Sequence, residues 1–130
     1  MSGLNFNSTD NKPTTIMDDA YTEVIVSDSS TNNNYNITTL TNNLSIKSGN
    51  LATFSGFRKK YDGQLLTVTN RIGATRTIVL KHLDEGSNIS NQLDLTSNKA
   101  NNLIISYGCS AVLRYDNTVS KWWLIGYYQI

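Results

Sequence analysis

Cys109 to Tyr128 reads CSAVLRYDNTVSKWWLIGYY, and this stretch settles the fold class. Up to Asp116 the side chains alternate, with Cys109, Ala111, Leu113 and Tyr115 on one face and Ser110, Val112, Arg114 and Asp116 on the other. That period of two is a half-buried strand whose first face turns to the core. NTVS is a turn, and Lys121 to Tyr128 is a second strand, so the pair predicts an antiparallel hairpin. The second strand is apolar on both faces, with Trp122, Leu124, Gly126 and Tyr128 on one and Trp123, Ile125 and Tyr127 on the other. Such a strand is sandwiched inside its domain or covered by another subunit. The row Trp123, Ile125 and Tyr127 is therefore the expected oligomer interface.

Upstream, Asn102 to Tyr107 precedes a break at Gly108, which predicts three consecutive antiparallel strands at this end. Further strands are expected over Ala20 to Ser27, Tyr35 to Thr41, Asn43 to Ser48, Leu51 to Phe57, Gln64 to Asn70 and the run RTIVLKH. DSSTNNN reads as a turn, Asp62-Gly63 as a tight-turn pair, and Leu83 to Gln92 as a polar loop before a brief strand at Leu93 to Thr96. Short strands at roughly ten-residue spacing predict an all-β fold: a single antiparallel β-sandwich or jelly-roll-like domain over residues 20–130. Composition agrees. The 130 residues include 17 Asn, 15 Thr and 14 Ser but only 5 Ala and 2 Glu, a mix that competes with helix at every turn. One domain fits this length, and two do not.

Residues 1–19, MSGLNFNSTDNKPTTIMDD, show neither a period of 2 nor one of 3.6. They predict an extended N-terminal arm, with Pro13 favouring extended chain and two apolar anchors, Leu4 with Phe6 and Ile16 with Met17. Such an arm lies on a partner or folds back on its own domain.

Chemistry-bearing residues are few. A net charge of +1 provides no field for nucleic acid or an anionic membrane, and no apolar run approaches a bilayer span. The start lacks the basic and apolar regions of a signal peptide, which predicts a protein made in a cytosol. His82, the sole histidine, shares a strand face with Ile78 and Leu80 and reads as a packed side chain. Cys109, the sole cysteine, lies on the core face, so neither a disulfide nor a Cys-rich zinc site is expected. Asp18-Asp19 and Asp84-Glu85 are neighbours that point to opposite sides of extended chain, a poor arrangement for paired acid and base. No nucleophile-elbow, metalloprotease, P-loop or dinucleotide motif is present, so the expectation is a non-enzyme without cofactor or metal. Arg58-Lys59-Lys60-Tyr61 is a basic run with an aromatic neighbour and reads as a solvated turn. The 4 Asn-x-Ser/Thr triplets, at Asn7, Asn36, Asn43 and Asn88, match what 17 Asn produce by chance. Seven Tyr and two Trp invite a carbohydrate-binding reading, but six of them lie in the terminal strands, where packing is the commoner use.

From Asn50 to Ile130 the chain resembles the β-domains of bacteriophage fibre, tail-spike and head-decoration proteins. DGQLLTVTN, TIVLKH and GCSAVLRYDNTVSKWW carry the resemblance, chiefly through Gly63, Asn70, His82, Tyr115, Asp116 and the Trp122/Trp123 pair. It implies a non-enzymatic virion protein, commonly a homotrimer, made in the host cytoplasm. With 130 residues there is no expected room for a β-helix, which removes the depolymerase version. A short arm plus one β-domain resembles a head fibre or decoration protein bound to the phage capsid through Leu4, Phe6, Ile16 and Met17. A tail-fibre tip recognising a host surface glycan is the alternative, and a carbohydrate-binding module a further one.

Overall fold

The computed structural model describes residues 22–25, 31–37, 43–48, 51–73 and 76–129. Residues 1–19 lie outside them, and the expectation of an arm with them. Among the described residues there is no α-helix, and ten strands form two sheets. They are β1 (Thr22–Ile25), β2 (Thr31–Asn32), β3 (Asn43–Ser48), β4 (Ala52–Phe54), β5 (Leu65–Asn70), β6 (Ile78–Leu80), β7 (Leu93–Asp94), β8 (Leu103–Ile105), β9 (Ser110–Asp116) and β10 (Lys121–Tyr128). Sheet A has the order β1-β3-β5-β9-β10-β7 and sheet B the order β2-β4-β6-β8.

The expected antiparallel sandwich or jelly roll is corrected to a pair of mixed sheets. Strands one to six alternate between the sheets, so each of the first four pairs in parallel with the strand two places on, and none of the six pairs with its neighbour in sequence. Thr22 sits beside Leu44, Asn43 beside Thr67, Thr31 beside Thr53 and Ala52 beside Ile78, a repeat of 22 to 26 residues per turn of a flattened coil. Parallel pairing requires long crossovers, and here each crossover is the opposite sheet. The expectation that the chain has no room for β-helical stacking is overturned as well, because three such turns fit within residues 22–80. Beyond them the pairing becomes mainly antiparallel, with β8 on β6, β9 on β5 and β10 on β9, and the short β7 joins β10 in parallel. The three consecutive strands expected at the C-terminal end are thus split. Gly108, at φ 83, carries the chain from β8 in sheet B to β9 in sheet A, its N–H donating to the Asn70 carbonyl at 2.9 Å.

One core lies between the sheets. Sheet A contributes Leu44, Ile46, Leu66, Val68, Ala111, Leu113, Tyr115, Trp122 and Leu124, and sheet B Ala52, Phe54, Ile78, Leu80, Leu103 and Ile105. The face Cys109, Ala111, Leu113 and Tyr115 is buried as its alternation predicts. Rings join the two layers, with Phe54 stacked on Phe57 at 5.1 Å, Phe57 edge-on to Trp122 at 6.3 Å and Trp122 edge-on to Tyr115 at 5.3 Å. The Trp122 indole N–H donates to the Phe57 carbonyl at 2.8 Å, so the largest core side chain is also fully satisfied.

Candidate functional site

The motif residues are held by the fold itself. Asn70 is fully buried; its Nδ2 donates to the carbonyls of Ile105 at 2.8 Å and Arg76 at 3.1 Å, and its Oδ1 accepts the Ile72 N–H at 2.8 Å. His82 Nδ1 accepts the Leu95 N–H at 2.9 Å, which puts the ring proton of the neutral imidazole on Nε2. Tyr115 donates to the Ser90 carbonyl at 2.9 Å, and Asp116 accepts the Thr118 N–H at 2.8 Å, closing the hairpin turn. Gly63 adopts φ 78, the left-handed region its turn needs. A buried polar cluster fastens the loop before β7 to the second coil turn: Ser55 bonds to both Asn33 and Ser87 at 2.6 Å, and Ser87 Oγ accepts the Asn34 N–H at 2.9 Å.

The basic run is likewise engaged. Arg58 donates to the Asn34 carbonyl, Lys60 to Asn36, and Lys59 pairs with Asp62 while its ammonium stands 4.7 Å from the centre of the Tyr115 ring. The hydrogen bond to Asp62 raises the Lys59 pKa. Asp84 pairs with Lys81 at 3.3 Å, while Asp18 and Asp19 lie outside the described residues. Among the described residues no three His, Cys, Asp or Glu side chains gather to hold a metal, and no helix is long and apolar enough to cross a membrane.

The row Trp123, Ile125 and Tyr127 is not continuous. Trp123 pairs with Arg114, Leu124 with Leu113 and Gly126 with Val112, so Ile125 is the extra residue of a β-bulge. Beyond the bulge the two faces exchange. Tyr127 stands opposite Ala111, packs against the core and accepts the Ser106 N–H, whereas Tyr128 stands opposite Ser110 on the outer face. The Tyr128 ring lies over Gly126, where a Cβ would meet its hydroxyl at 2.7 Å. Tyr127 therefore leaves the expected interface set and Tyr128 enters it. The arm anchors Leu4, Phe6, Ile16 and Met17 lie outside the described residues.

Sequence reasoning missed a cavity. The outer face of sheet A ends, on the Trp123 side, in an open pocket of about 640 Å³ between the Asp62-Gly63 turn and the β9–β10 hairpin. Arg114, Asp116, Asn117, Trp123 and Ile125 line it together with that turn. Arg114 is exposed and has no hydrogen-bond or ion-pair partner among the described residues, and the Trp123 indole N–H is buried without an acceptor. Both turns are legible as turns; their convergence depends on the pairing of β5 with β9. No family model, characterised protein or solved structure matches the chain.

Proposed function

We propose that the chain is a non-enzymatic structural protein of a bacteriophage particle, a short head fibre or decoration protein mounted on the capsid by residues 1–19. One observation supports the reading. Of the seven residues that carry the resemblance, six (Gly63, Asn70, His82, Tyr115, Asp116 and Trp122) serve turns, hydrogen bonds and ring packing of the fold itself. Such a signature belongs to a rigid β-element that displays and attaches, since a reactive site keeps its polar groups available to substrate. In this reading the protein is a homotrimer that associates through the outer face of sheet A at its Tyr128 end, where Val112, Thr67 and Thr69 lie alongside, and Trp123 and Ile125, which line the cavity, stay outside the contact. The tail-fibre or glycan-recognising alternative is favoured by the cavity beside Trp123. The test deletes residues 2–19. The remaining protein is expected to stay folded and trimeric by light scattering and to be lost from purified particles, whereas normal incorporation refutes attachment by the arm.

A further inference from the structure

We infer that the cavity between the Asp62-Gly63 turn and the β9–β10 hairpin is a saccharide-binding site for a neutral pyranose unit, whatever the mounting of the chain on a particle. The lining combines apolar side chains, which a sugar ring can contact, with polar groups, which its hydroxyls can bond. Trp123 and Ile125 provide the apolar wall, and Asp62, Asp116, Asn117 and Arg114 the polar rim. A cavity of about 640 Å³ is within the ~300–1,000 Å³ of small-molecule sites, and an apolar wall with a few convergent polar groups is their usual chemistry.

The available hydrogen-bonding capacity points the same way. The Arg114 guanidinium keeps its donors unpaired among the described residues. Asp116 uses only Oδ1 in its turn, and Asn117 meets only Lys59 Nζ, at 3.5 Å on its Oδ1, which leaves its amide N–H groups to donate. Acceptors and donors thus stand side by side, as vicinal hydroxyls require. Two carboxylates and one guanidinium line the cavity, and one of the carboxylates, Asp62, is already paired with Lys59. With Asp62 neutralised by Lys59, the free charges of the rim are one carboxylate, Asp116, and one guanidinium, Arg114, which balance, so the site offers no net field to an anion and suits a neutral ligand.

The full chain is titrated with methyl glucoside, methyl galactoside, methyl mannoside and N-acetylglucosamine, with methyl glucuronide as the anionic comparison, by tryptophan emission and calorimetry. At least one neutral probe is expected to bind saturably, in the millimolar range usual for so few atoms, and several-fold more tightly than the glucuronide. Trp123→Ala is expected to weaken binding by at least about tenfold, as loss of a central aromatic contact does. Asn117→Ala, on an exposed turn, is expected to weaken it several-fold with an unchanged melting profile, and it keeps the test decisive if Trp123→Ala does not fold. No saturable binding by any neutral probe up to about 50 mM, equal binding by the Asn117 variant, or stronger binding of the glucuronide each overturns the assignment. So does a concentration-dependent oligomer in which Trp123 is shielded from a small quencher, because a second copy of the chain then fills the cavity.

Discussion

Gly56→Ala tests whether the polar cluster holds the loop before β7 against the coil. Gly56 does not have a left-handed φ, so alanine meets no backbone strain there and the effect reports on space alone. A Cβ would lie 2.6 Å from Ser87 Oγ and 2.8 Å from Ser87 Cβ, and closer still to the Asn91 carbonyl. Ordinary carbon contacts begin near ~3.5 Å, so the loop must retreat by about 1 Å. That retreat stretches the 2.6 Å bond from Ser55 to Ser87, the 2.9 Å bond from the Asn34 N–H and the 3.0 Å bond from the Phe57 N–H to the Asn91 carbonyl. Losing these at about 1 kcal/mol each, with more for any buried donor left bare, outweighs the ~0.4–1 kcal/mol gained by stiffening the unfolded chain. The net expectation is about 3 kcal/mol of destabilisation, or a Tm lower by roughly 10 °C. Gly63→Ala is the counterpart: no atom lies within 4 Å of its added Cβ, and the cost is confined to the left-handed φ of 78. That conformation costs about 1–2 kcal/mol for an L-residue, less the same entropic gain. Urea and thermal melts followed by tryptophan emission compare the two. A Gly56 variant as stable as wild type, or more stable than the Gly63 variant, refutes the reasoning.

Two further outcomes are expected. His82→Phe keeps an aromatic ring but leaves the Leu95 N–H without its acceptor, and should lower stability by about 1–3 kcal/mol in denaturant melts while leaving particle incorporation unchanged. The Asp84 carboxyl is held below its ordinary value, first by the Gly86 N–H at 2.7 Å and then by Lys81. Its folded-state pKa is depressed, so its stabilisation is present above the unfolded value of about 3.9 and is lost as pH falls through the lower folded value. Asp84→Asn should flatten the acid side of a plot of Tm against pH, and an unchanged slope refutes the assignment.

The strands were legible where alternation, or in β10 a continuous apolar run, is strong. β3, β5, β9 and β10 fall within a residue of their expected bounds, because one face of each carries the core. Pairing was not legible, since a period of two is the same in parallel and antiparallel ladders and only the destination of each connection separates them. The bulge at Ile125 escaped because apolar residues on both sides make the two registers equivalent on paper. Gly126, a lone glycine inside a strand, was the available signal. The cavity draws on residues from three stretches of chain, at 62–63, 114–117 and 123–125, and no local pattern ties a turn after β4 to a hairpin about fifty residues later.

The alternation of strands between the two sheets also sets the kinetics of folding. Every ladder except β9–β10 joins residues more than 20 apart, and β5 must find β9 across 41 to 49 residues. Chain-closure entropy makes such contacts late, while a hairpin closed by the four residues between Asp116 and Lys121 forms early. The earliest local nucleus is therefore formed by the last two of these ten strands to be synthesised. The sheet A ladder formed by β3 and β5 must wait, with one edge exposed, until the hairpin arrives to cover it. Completion only after the hairpin is made, and sensitivity until then to crowding by other nascent copies, are built into the order of the strands.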